Sequence, residues 1–392
     1  GLSMMHLDFD TPIDRRGTQS YKWDGTLAEF GREDVIPMWV ADMDFPCAPE
    51  ILDAFSDRVR HGIMGYTVRS QQYMDAVRGW FRNRHGWGVS EKALTFAPPG
   101  VIFAVNVLID LLSEPGDRIV MQTPNYDALM NSVTAGGRII SENPLKVVNG
   151  RYELDFDGLE QILALPRTKI LLMSNPNNPT GRLWTPEELS RLGELCVQHH
   201  VTIISDDIHA DIVMPGYHYT PLPSLSPELA QCSVLLTSTN KTFNLGGLQM
   251  ATLVIYDEVL RSRFNQVMAR YQTRLDNLFG AIALETAYTS CGYWLDAVIS
   301  YIDENRKTLE SFIRTELPQL TAYPMESTYF SWIDFSGLGK GEGLERFLID
   351  TCGVAFTPGR EFSAGYGQYM RVNLACRREL LLTAFRQIRQ NI

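Results

Sequence analysis

The middle of the chain repeats one pattern from about residue 93: a short apolar run, a polar loop, then a helical periodicity. The apolar runs are ALTF, DRIVMQ, KILLMS, VTIIS and VLLTS. Continuous apolar strands that alternate with helices predict a mostly parallel β-sheet covered by helices on both faces. Such sheets bind ligands beyond the carboxyl ends of their strands. The pattern therefore predicts that residues in the loops after these runs meet in space, namely Gly100, Tyr126, Asn178, Asp206 and Lys241.

Two further segments complete the predicted α/β fold. Thr185, Pro186 and Glu188 form a strong helix start. After about residue 290 the pattern changes to a long amphipathic helix (YWLDAVISYIDENRKTLESFIRTEL) and two strand-like pieces, TYFSWIDF and QYMRVNLA. We predict a large domain over residues 46–289, with its sheet sandwiched by helices. A smaller α+β domain is predicted to combine residues 1–45 with residues 290–392.

Composition narrows the class of protein. A chain of 392 residues with 45% hydrophobic and 21% charged residues is typical of a soluble globular protein. It has no apolar run long enough for a membrane helix, and its start, GLSMMHLDFD, lacks the features of a secretory signal. A net charge of -11 argues against nucleic-acid or anionic-membrane partners. The scattered cysteines predict free thiols in a reducing cytoplasm.

Lys241 is the first candidate for chemistry. A lone lysine at a loop start is usually a solvated surface charge. Here it follows a buried strand, three residues after Ser238 and among several threonines. Burial would lower the pKa of this amine and make the neutral form available for Schiff-base chemistry, and the nearby hydroxyls could bind a phosphate.

Asp206, Asp207 and His209 follow the run VTIIS. One interpretation is a pair of turn or cap carboxylates with a structural histidine. The other is a buried carboxylate that needs a cationic partner, such as a protonated pyridine nitrogen. A metal site that adds His199 and His200 is not expected, because the spacing lacks a compact ligand motif.

Three loops rich in glycine, proline or asparagine allow a structural or a functional interpretation. SNPNNPTG can be a tight loop alone, or it can place the Asn178 amide at a strand end. APPG leads into a helix and can offer backbone N–H groups to a phosphate. GLGKGEG, residues 337–343, matches no phosphate-loop pattern and predicts a flexible loop.

Together these pieces resemble the fold-type I pyridoxal-phosphate (PLP) enzymes, the aspartate aminotransferase superfamily. The resemblance rests on five motifs in the family's order: P-x-Y at 124–126, N-P-T-G at 178–181, D-x-x-H at 206–209, S-x-x-K at 238–241 and R-x-N-x-A at 371–375. It extends over nearly the whole chain, from about residue 8 to the end.

The resemblance implies cofactor contacts. Lys241 would hold PLP through a Schiff base and later move the Cα proton, and Asp206 would pair with the pyridine nitrogen. Asn178 would hydrogen-bond the phenolic oxygen, and His209 stands where many relatives have tyrosine. The remaining implied contacts are Tyr126 stacked on the ring, and Ser238 with the backbone amides of Gly100, Val101 and Ile102 at the phosphate.

It also implies a substrate pocket and a dimer. Arg371 would clamp the substrate carboxylate, with Asn178 beside it. The pocket beyond it would include Trp39, Ala41, Asp42 and Tyr329. Tyr66 would reach the phosphate of the other subunit, so that a homodimer would be needed for function.

The segment YKWDGTLAEFGREDVIPMWVADMDF and the core STNKTFNLGGLQ look like the MalY/PatB branch, which comprises cystathionine β-lyases or cysteine-S-conjugate β-lyases. Gln249 stands where many transaminase relatives carry an arginine at the phosphate, and this also favours a lyase. The predicted reaction is β-elimination from an L-amino acid with sulfur on Cβ, with Tyr66 or Lys241 protonating the thiolate. The alternatives are an aminotransferase and a PLP-fold protein with a regulatory binding role.

Overall fold

The computed structural model describes residues 7–392, so residues 1–6 of the predicted small domain and of the N-terminal stretch lie outside the described part. The strands are β1 Ile36–Met38, β2 Leu94–Phe96, β3 Arg118–Thr123, β4 Ile139–Pro144, β5 Lys146–Val148, β6 Arg151–Glu153, β7 Thr168–Ser174, β8 Thr202–Asp206, β9 Ser233–Thr237, β10 Thr252–Ile255, β11 Thr321–Ala322, β12 Phe330–Asp334, β13 Val354–Pro358 and β14 Tyr369–Asn373. The helices are α1 Tyr21–Asp24, α2 Thr26–Phe30, α3 Pro49–His61, α4 Gln71–His85, α5 Val101–Leu112, α6 Asp127–Ala135, α7 Phe156–Leu163, α8 Pro186–Gln198, α9 Pro227–Gln231, α10 Thr239–Thr242, α11 Glu258–Arg270, α12 Leu278–Ser290, α13 Gly292–Glu316, α14 Leu344–Arg346 and α15 Arg378–Arg389.

A seven-stranded sheet in the order β2-β10-β9-β8-β7-β3-β4 forms the centre of the fold. Its middle strands are apolar on both faces because successive side chains point to opposite sides. In β7, Ile170 and Leu172 pack in the same cluster as helices α5, α6 and α11, and Leu171 and Met173 pack in the cluster that contains α7 and α8. The predicted mostly parallel sheet between two layers of helices is confirmed.

One strand of this sheet departs from the expected direction. β10 pairs antiparallel with both β9 and β2, whereas β9, β8, β7, β3 and β4 run parallel. The sequence pattern did not reveal this reversal, because a buried strand has the same run of apolar residues whether it pairs parallel or antiparallel with its neighbours. The direction is set by the connection of β10 to its neighbours.

A second sheet, in the order β1-β13-β14-β12-β11, lies in the other part of the fold. β1 pairs parallel with β13, so an N-terminal strand joins strands from the C-terminal part of the chain. The predicted long helix is present as α13, and one cluster of buried residues joins α3, α4, α12 and α13 to this sheet. The domain boundaries at residues 46 and 289 stay predictions.

Two local predictions can be compared with these elements. α8 begins at the predicted helix start, where the Thr185 hydroxyl accepts the N–H of Glu188 and the Glu188 carboxylate accepts the N–H of Thr185. The segment 337–343 forms short 3₁₀ turns at its two ends, rather than a phosphate loop before a helix. Within residues 7–392, no helix is both long and apolar enough to cross a membrane.

Candidate active site

A cavity of about 290 Å³ opens at the carboxyl ends of the parallel strands. The predicted residues on its wall are Ala41, Val101, Ile102, Tyr126, Asn178, Asp206, His209 and Lys241, and Gln249 lines it as well. Residues from distant parts of the sequence therefore meet at one sheet edge, as the strand-and-loop pattern predicted. Ser174, Ile208, Asn240 and Gly246 complete the wall.

Lys241 lies on α10, the short helix that follows β9, and its amine points into the cavity. Its Nζ donates a hydrogen bond to the backbone oxygen of Ala41 at 2.9 Å. Burial and, to a smaller extent, the positive charge of Arg371 lower the pKa of Lys241 to about 8, although the charges of Asp42 and Asp206 act in the opposite direction. A sizeable fraction of this amine is neutral near pH 8, as a nucleophile or a general base requires.

Asp206 is the last residue of β8 and lines the same cavity, and only 5% of its surface is exposed. Burial raises the pKa of Asp206 to about 6, although the N–H of Ile208, at 3.2 Å, and the charge of Lys241 lower it. In the described part of the chain, no lysine, arginine or histidine lies within ion-pair distance of this carboxylate. A protonated ring nitrogen would supply the missing cation and keep Asp206 ionised.

Asn178 lines the cavity, and the buried Arg371 lies directly against it. Arg371 Nη1 donates to Asn178 Oδ1 at 3.3 Å, and Nη2 donates to the backbone oxygen of Trp39 at 2.9 Å. The guanidinium lies 4.0 Å from the ring centre of Phe330, and its buried Nε has no hydrogen-bond partner among the described residues. A buried arginine with an unused donor is suited to an incoming carboxylate.

His209 lies beside this arginine with the centre of its ring 5.5 Å from that of Phe330. Burial lowers the pKa of His209 well below its usual value, as do the positive charges of Lys241 and Arg371. Its buried Nδ1 also lacks a hydrogen-bond partner in the described part of the chain. A neutral imidazole with an unused nitrogen can accept or donate a hydrogen bond to a bound group.

The part of the cavity wall at the start of α5 can hold a phosphate. α5 begins at Val101 without a side-chain cap, so the backbone N–H groups of Val101 and Ile102 are available to an anion. Gly100 has φ +117°, and a Cβ there would lie 2.7 Å from Gln249 Oε1. Glycine thus lets Gln249 pack directly against the helix start. Ser238 caps α10 nearby, and its hydroxyl accepts the N–H of Asn240 at 3.1 Å.

These observations test whether PLP fits the site. A buried carboxylate without a cation, a partly neutral lysine amine and an uncapped helix start match the ring nitrogen, the aldehyde and the phosphate of PLP. The unpartnered nitrogens of His209 and Arg371 provide further hydrogen-bonding groups for the cofactor or the substrate. The residues present therefore fit PLP.

The other predicted residues have different environments. Tyr126 precedes α6 on the cavity wall, and the Tyr329 hydroxyl donates to the Ala41 oxygen at 2.8 Å. The ring of Trp39 packs on Phe30 instead, so Trp39 contributes its backbone oxygen to Arg371. Tyr66 is fully exposed and is not among the residues that line the cavity of its own chain.

The residues that hold the loop around Ala41 were not predicted from the sequence. Asn373 donates to the backbone oxygens of Val40, at 2.8 Å, and Asp42, at 2.7 Å. Asn244 exchanges hydrogen bonds with the backbone of Met43 from the other side. Asn373 belongs to the R-x-N-x-A motif and Asn244 follows Lys241 by three residues, so proximity to the motifs was the available signal.

Asp211 was also missed, although it holds the lysine-bearing helix. Its carboxylate accepts from Thr242 Oγ1 at 2.8 Å and from Trp80 Nε1 at 3.0 Å, and it lies 2.6 Å from His85 Nε2. Thr242 directly follows Lys241, so this buried network links α4 to α10. As for metals, no group of three or more potential metal ligands occurs within residues 7–392.

The fold and the site define a PLP-dependent enzyme of fold type I. The family model for class I and II aminotransferases matches residues 33–388, and the chain belongs to this family. The predicted superfamily and the PLP cofactor are confirmed, since the family is PLP-dependent and similar solved structures contain PLP. The roles of individual site residues stay predictions.

Several relatives are similar over almost their whole length. The chain is 40% identical over 384 residues to cystathionine β-lyase PatB of Bacillus subtilis (strain 168), an alignment that covers 98% of this chain and 99% of PatB. A PLP-bound putative aminotransferase from Clostridium difficile 630 has a TM-score of 0.95 and 35% identity, with 98% of this chain and 99% of that chain covered. The PLP-bound C-S lyase from Staphylococcus hominis has a TM-score of 0.92 and 29% identity, with 98% of both chains covered.

Proposed function

We propose that this chain is a PLP-dependent carbon–sulfur lyase that acts on L-cystathionine or related cysteine S-conjugates. With water, the substrate gives pyruvate, ammonia and a thiol, which is homocysteine when the substrate is cystathionine. The observation that carries this proposal is that Lys241 and Asp206 line one cavity, and that Arg371 contacts Asn178 on its wall, in a chain 40% identical to a cystathionine β-lyase.

The residues in and beside the cavity would have separate roles in this reaction. Arg371 binds the substrate carboxylate and so places the Cα–H bond near the amine of Lys241. Lys241, with its pKa lowered to about 8, removes the Cα proton as a neutral amine. PLP supplies the electron sink for the resulting negative charge. Asp206 remains ionised beside the ring nitrogen and keeps that nitrogen protonated.

An aminotransferase is the second candidate, because it needs the same lysine, aspartate and arginine. The similarity to a protein described as a putative aminotransferase favours this alternative. Two features favour the lyase. PatB is a cystathionine β-lyase, and Gln249 replaces the positive charge that many transaminase relatives carry at the phosphate.

One assay separates these two activities. The purified protein with PLP is incubated with L-cystathionine in the absence of any keto acid, and pyruvate and free thiol are measured. We expect one pyruvate for each thiol released. Product formation that requires an added keto acid would instead identify an aminotransferase.

The proposal includes a homodimer in which Tyr66 completes the site of the other subunit. Tyr66 lies in an exposed segment with Ile63, Met64 and Val68, and apolar side chains exposed together are typical of a protein interface. We also propose a cytoplasmic location, because all six cysteines are free thiols, as a reducing compartment would keep them.

Mixing two inactive variants tests the contribution of Tyr66. We expect Tyr66→Ala and Lys241→Ala homodimers each to lose most β-elimination activity. In a mixed dimer, the subunit with Lys241 receives an intact Tyr66 from its partner, so refolding the two variants together should restore activity at one site in two. If Tyr66 acts within its own subunit, the mixture will stay as inactive as its components.

A further inference from the structure

The active-site cavity continues into a second and larger cavity of about 640 Å³. The two cavities share Ala41, Lys241, Gly246 and Gln249 on their walls. Asn178, which contacts Arg371, lines the first cavity and not the second. A substrate with its carboxylate at Arg371 and its amine near Lys241 can therefore extend its side chain past the shared residues into this distal cavity.

An arginine–aspartate pair lies on the wall of the distal cavity. Arg15 Nη1 and Nη2 lie 2.8 and 2.9 Å from the two carboxylate oxygens of Asp42, in a bidentate arrangement. Both side chains remain partly exposed, at 22% for Arg15 and 25% for Asp42. These contacts use the terminal nitrogens of Arg15, and a carboxylate accepts about four hydrogen bonds, so the pair retains donors and acceptors for a ligand.

A second pair of charged residues, Asp44 and Lys22, lies next to Arg15 and Asp42. Asp44 lies 2.8 Å from Arg15 Nη1, accepts from Trp23 Nε1 at 2.9 Å, and lies 3.2 Å from the amine of the buried Lys22. Two cations and two anions therefore form one cluster with no net charge, in which Arg15, Asp42 and Asp44 line the wall of the cavity and the buried Lys22 lies behind them. Such a cluster gives no net attraction to a ligand with a single charge, but it can match a group that carries both signs.

We propose that Arg15 and Asp42 form a distal subsite for the leaving half of the substrate. Asp42 binds an ammonium group there, and Arg15 binds a carboxylate. This inference rests on the proposed lyase function and names its substrate class: cysteine thioethers whose leaving half is itself an α-amino acid. A plain alkyl leaving group fits the same cavity but leaves both charged residues without a new partner.

Four substrates of similar length test this with the unaltered holoenzyme. They are L-cystathionine, S-(3-aminopropyl)-L-cysteine without the distal carboxylate, S-(3-carboxypropyl)-L-cysteine without the distal ammonium, and S-propyl-L-cysteine without either. Pyruvate release gives kcat/KM for each. We expect cystathionine to exceed S-propyl-L-cysteine by at least about tenfold, chiefly through a lower KM, because charge-assisted hydrogen bonds are stronger than neutral ones.

Two variants show which residue binds the distal ammonium group and which binds the distal carboxylate. Asp42→Asn should reduce by about tenfold the gain in kcat/KM that a distal ammonium group gives. Arg15→Gln should reduce by about tenfold the gain in kcat/KM that a distal carboxylate gives. Arg32→Gln is the matched control, because Arg32 pairs with Asp34 outside the cavity and should leave all four ratios unchanged. If a variant does not fold, as judged by its melting curve, the four-substrate series on the unaltered enzyme still decides.

The outcomes also separate this inference from the proposed function. Equal kcat/KM values within twofold for all four substrates, or variants that lower all four by the same factor, would overturn the distal subsite while leaving the lyase intact. An absence of pyruvate from every substrate would overturn the lyase function itself.

Discussion

Lys241→Ala is expected to abolish covalent attachment of PLP and to lower the turnover of β-elimination by about 10²–10⁴-fold, the usual contribution of a general base. The reason is the position of its amine at the cavity, 2.9 Å from the Ala41 oxygen, with a pKa lowered to about 8. The absorbance of the PLP–lysine linkage should disappear. Borohydride reduction of the unaltered protein should fix the cofactor to the peptide that contains Lys241.

The exposed lysine Lys146 provides the control, because PLP also reacts with lysines at protein surfaces. Lys146 lies outside the active-site cavity and forms a partly exposed ion pair with Asp155. Lys146→Ala should keep both the absorbance and the activity. Recovery of the borohydride-fixed cofactor on a peptide without Lys241 would contradict the role assigned to this residue.

Arg371→Ala is expected to lower kcat/KM on the order of 30- to 4,000-fold, mostly through KM, while PLP remains bound. Truncating one partner of a buried charged pair costs about 2–5 kcal/mol, and about 1.4 kcal/mol corresponds to a factor of ten. The structure places Arg371 against Asn178, which lines the cavity, and against the backbone oxygen of Trp39. Steady-state kinetics together with the PLP absorbance measure the two effects separately.

Two further arginine variants sharpen this result. Arg371→Lys keeps the positive charge but loses the planar fork, so its kcat/KM should lie between those of the unaltered enzyme and Arg371→Ala. Arg182 is also buried, but it pairs with Glu326 and Glu188 away from the cavity, so Arg182→Ala should lower the melting temperature rather than raise KM specifically. Loss of PLP from Arg371→Ala would point to a structural role for Arg371.

The sequence was most informative where a residue directly follows an apolar strand. Asp206 and Lys241 could be predicted because strand, loop and helix signals lie within a few positions of each other, and parallel strands bring such loops to one edge. The resemblance then added Arg371, which lies far along the chain on β14 of the other sheet. A pattern of apolar and polar positions alone does not bring β14 to the end of β8.

The rest of the site depends on contacts between distant segments. Asn373 and Asn244 donate hydrogen bonds to backbone oxygens of residues 40–45. Every residue type has a backbone oxygen, so the residue types at positions 40–45 do not reveal these contacts. Asp211 depends on the approach of Trp80 and His85 from α4. The ring of Trp39 turned away from the cavity because Phe30 and Tyr21 offer it an apolar surface. None of these contacts between distant segments can be predicted from the spacing of residues along the sequence.

The loop of residues 40–45 links the catalytic lysine to the distal cavity. Asn244 and Asn373 hold its backbone from both sides, Ala41 within it contacts the amine of Lys241, and Asp42 lies on the wall of the distal cavity. A mutation that reshapes this loop would alter the lysine and the leaving-group wall together. New substrate preferences should therefore arise more readily through residues outside the loop that have no hydrogen bond to it, such as Ile13, which also lines the distal cavity.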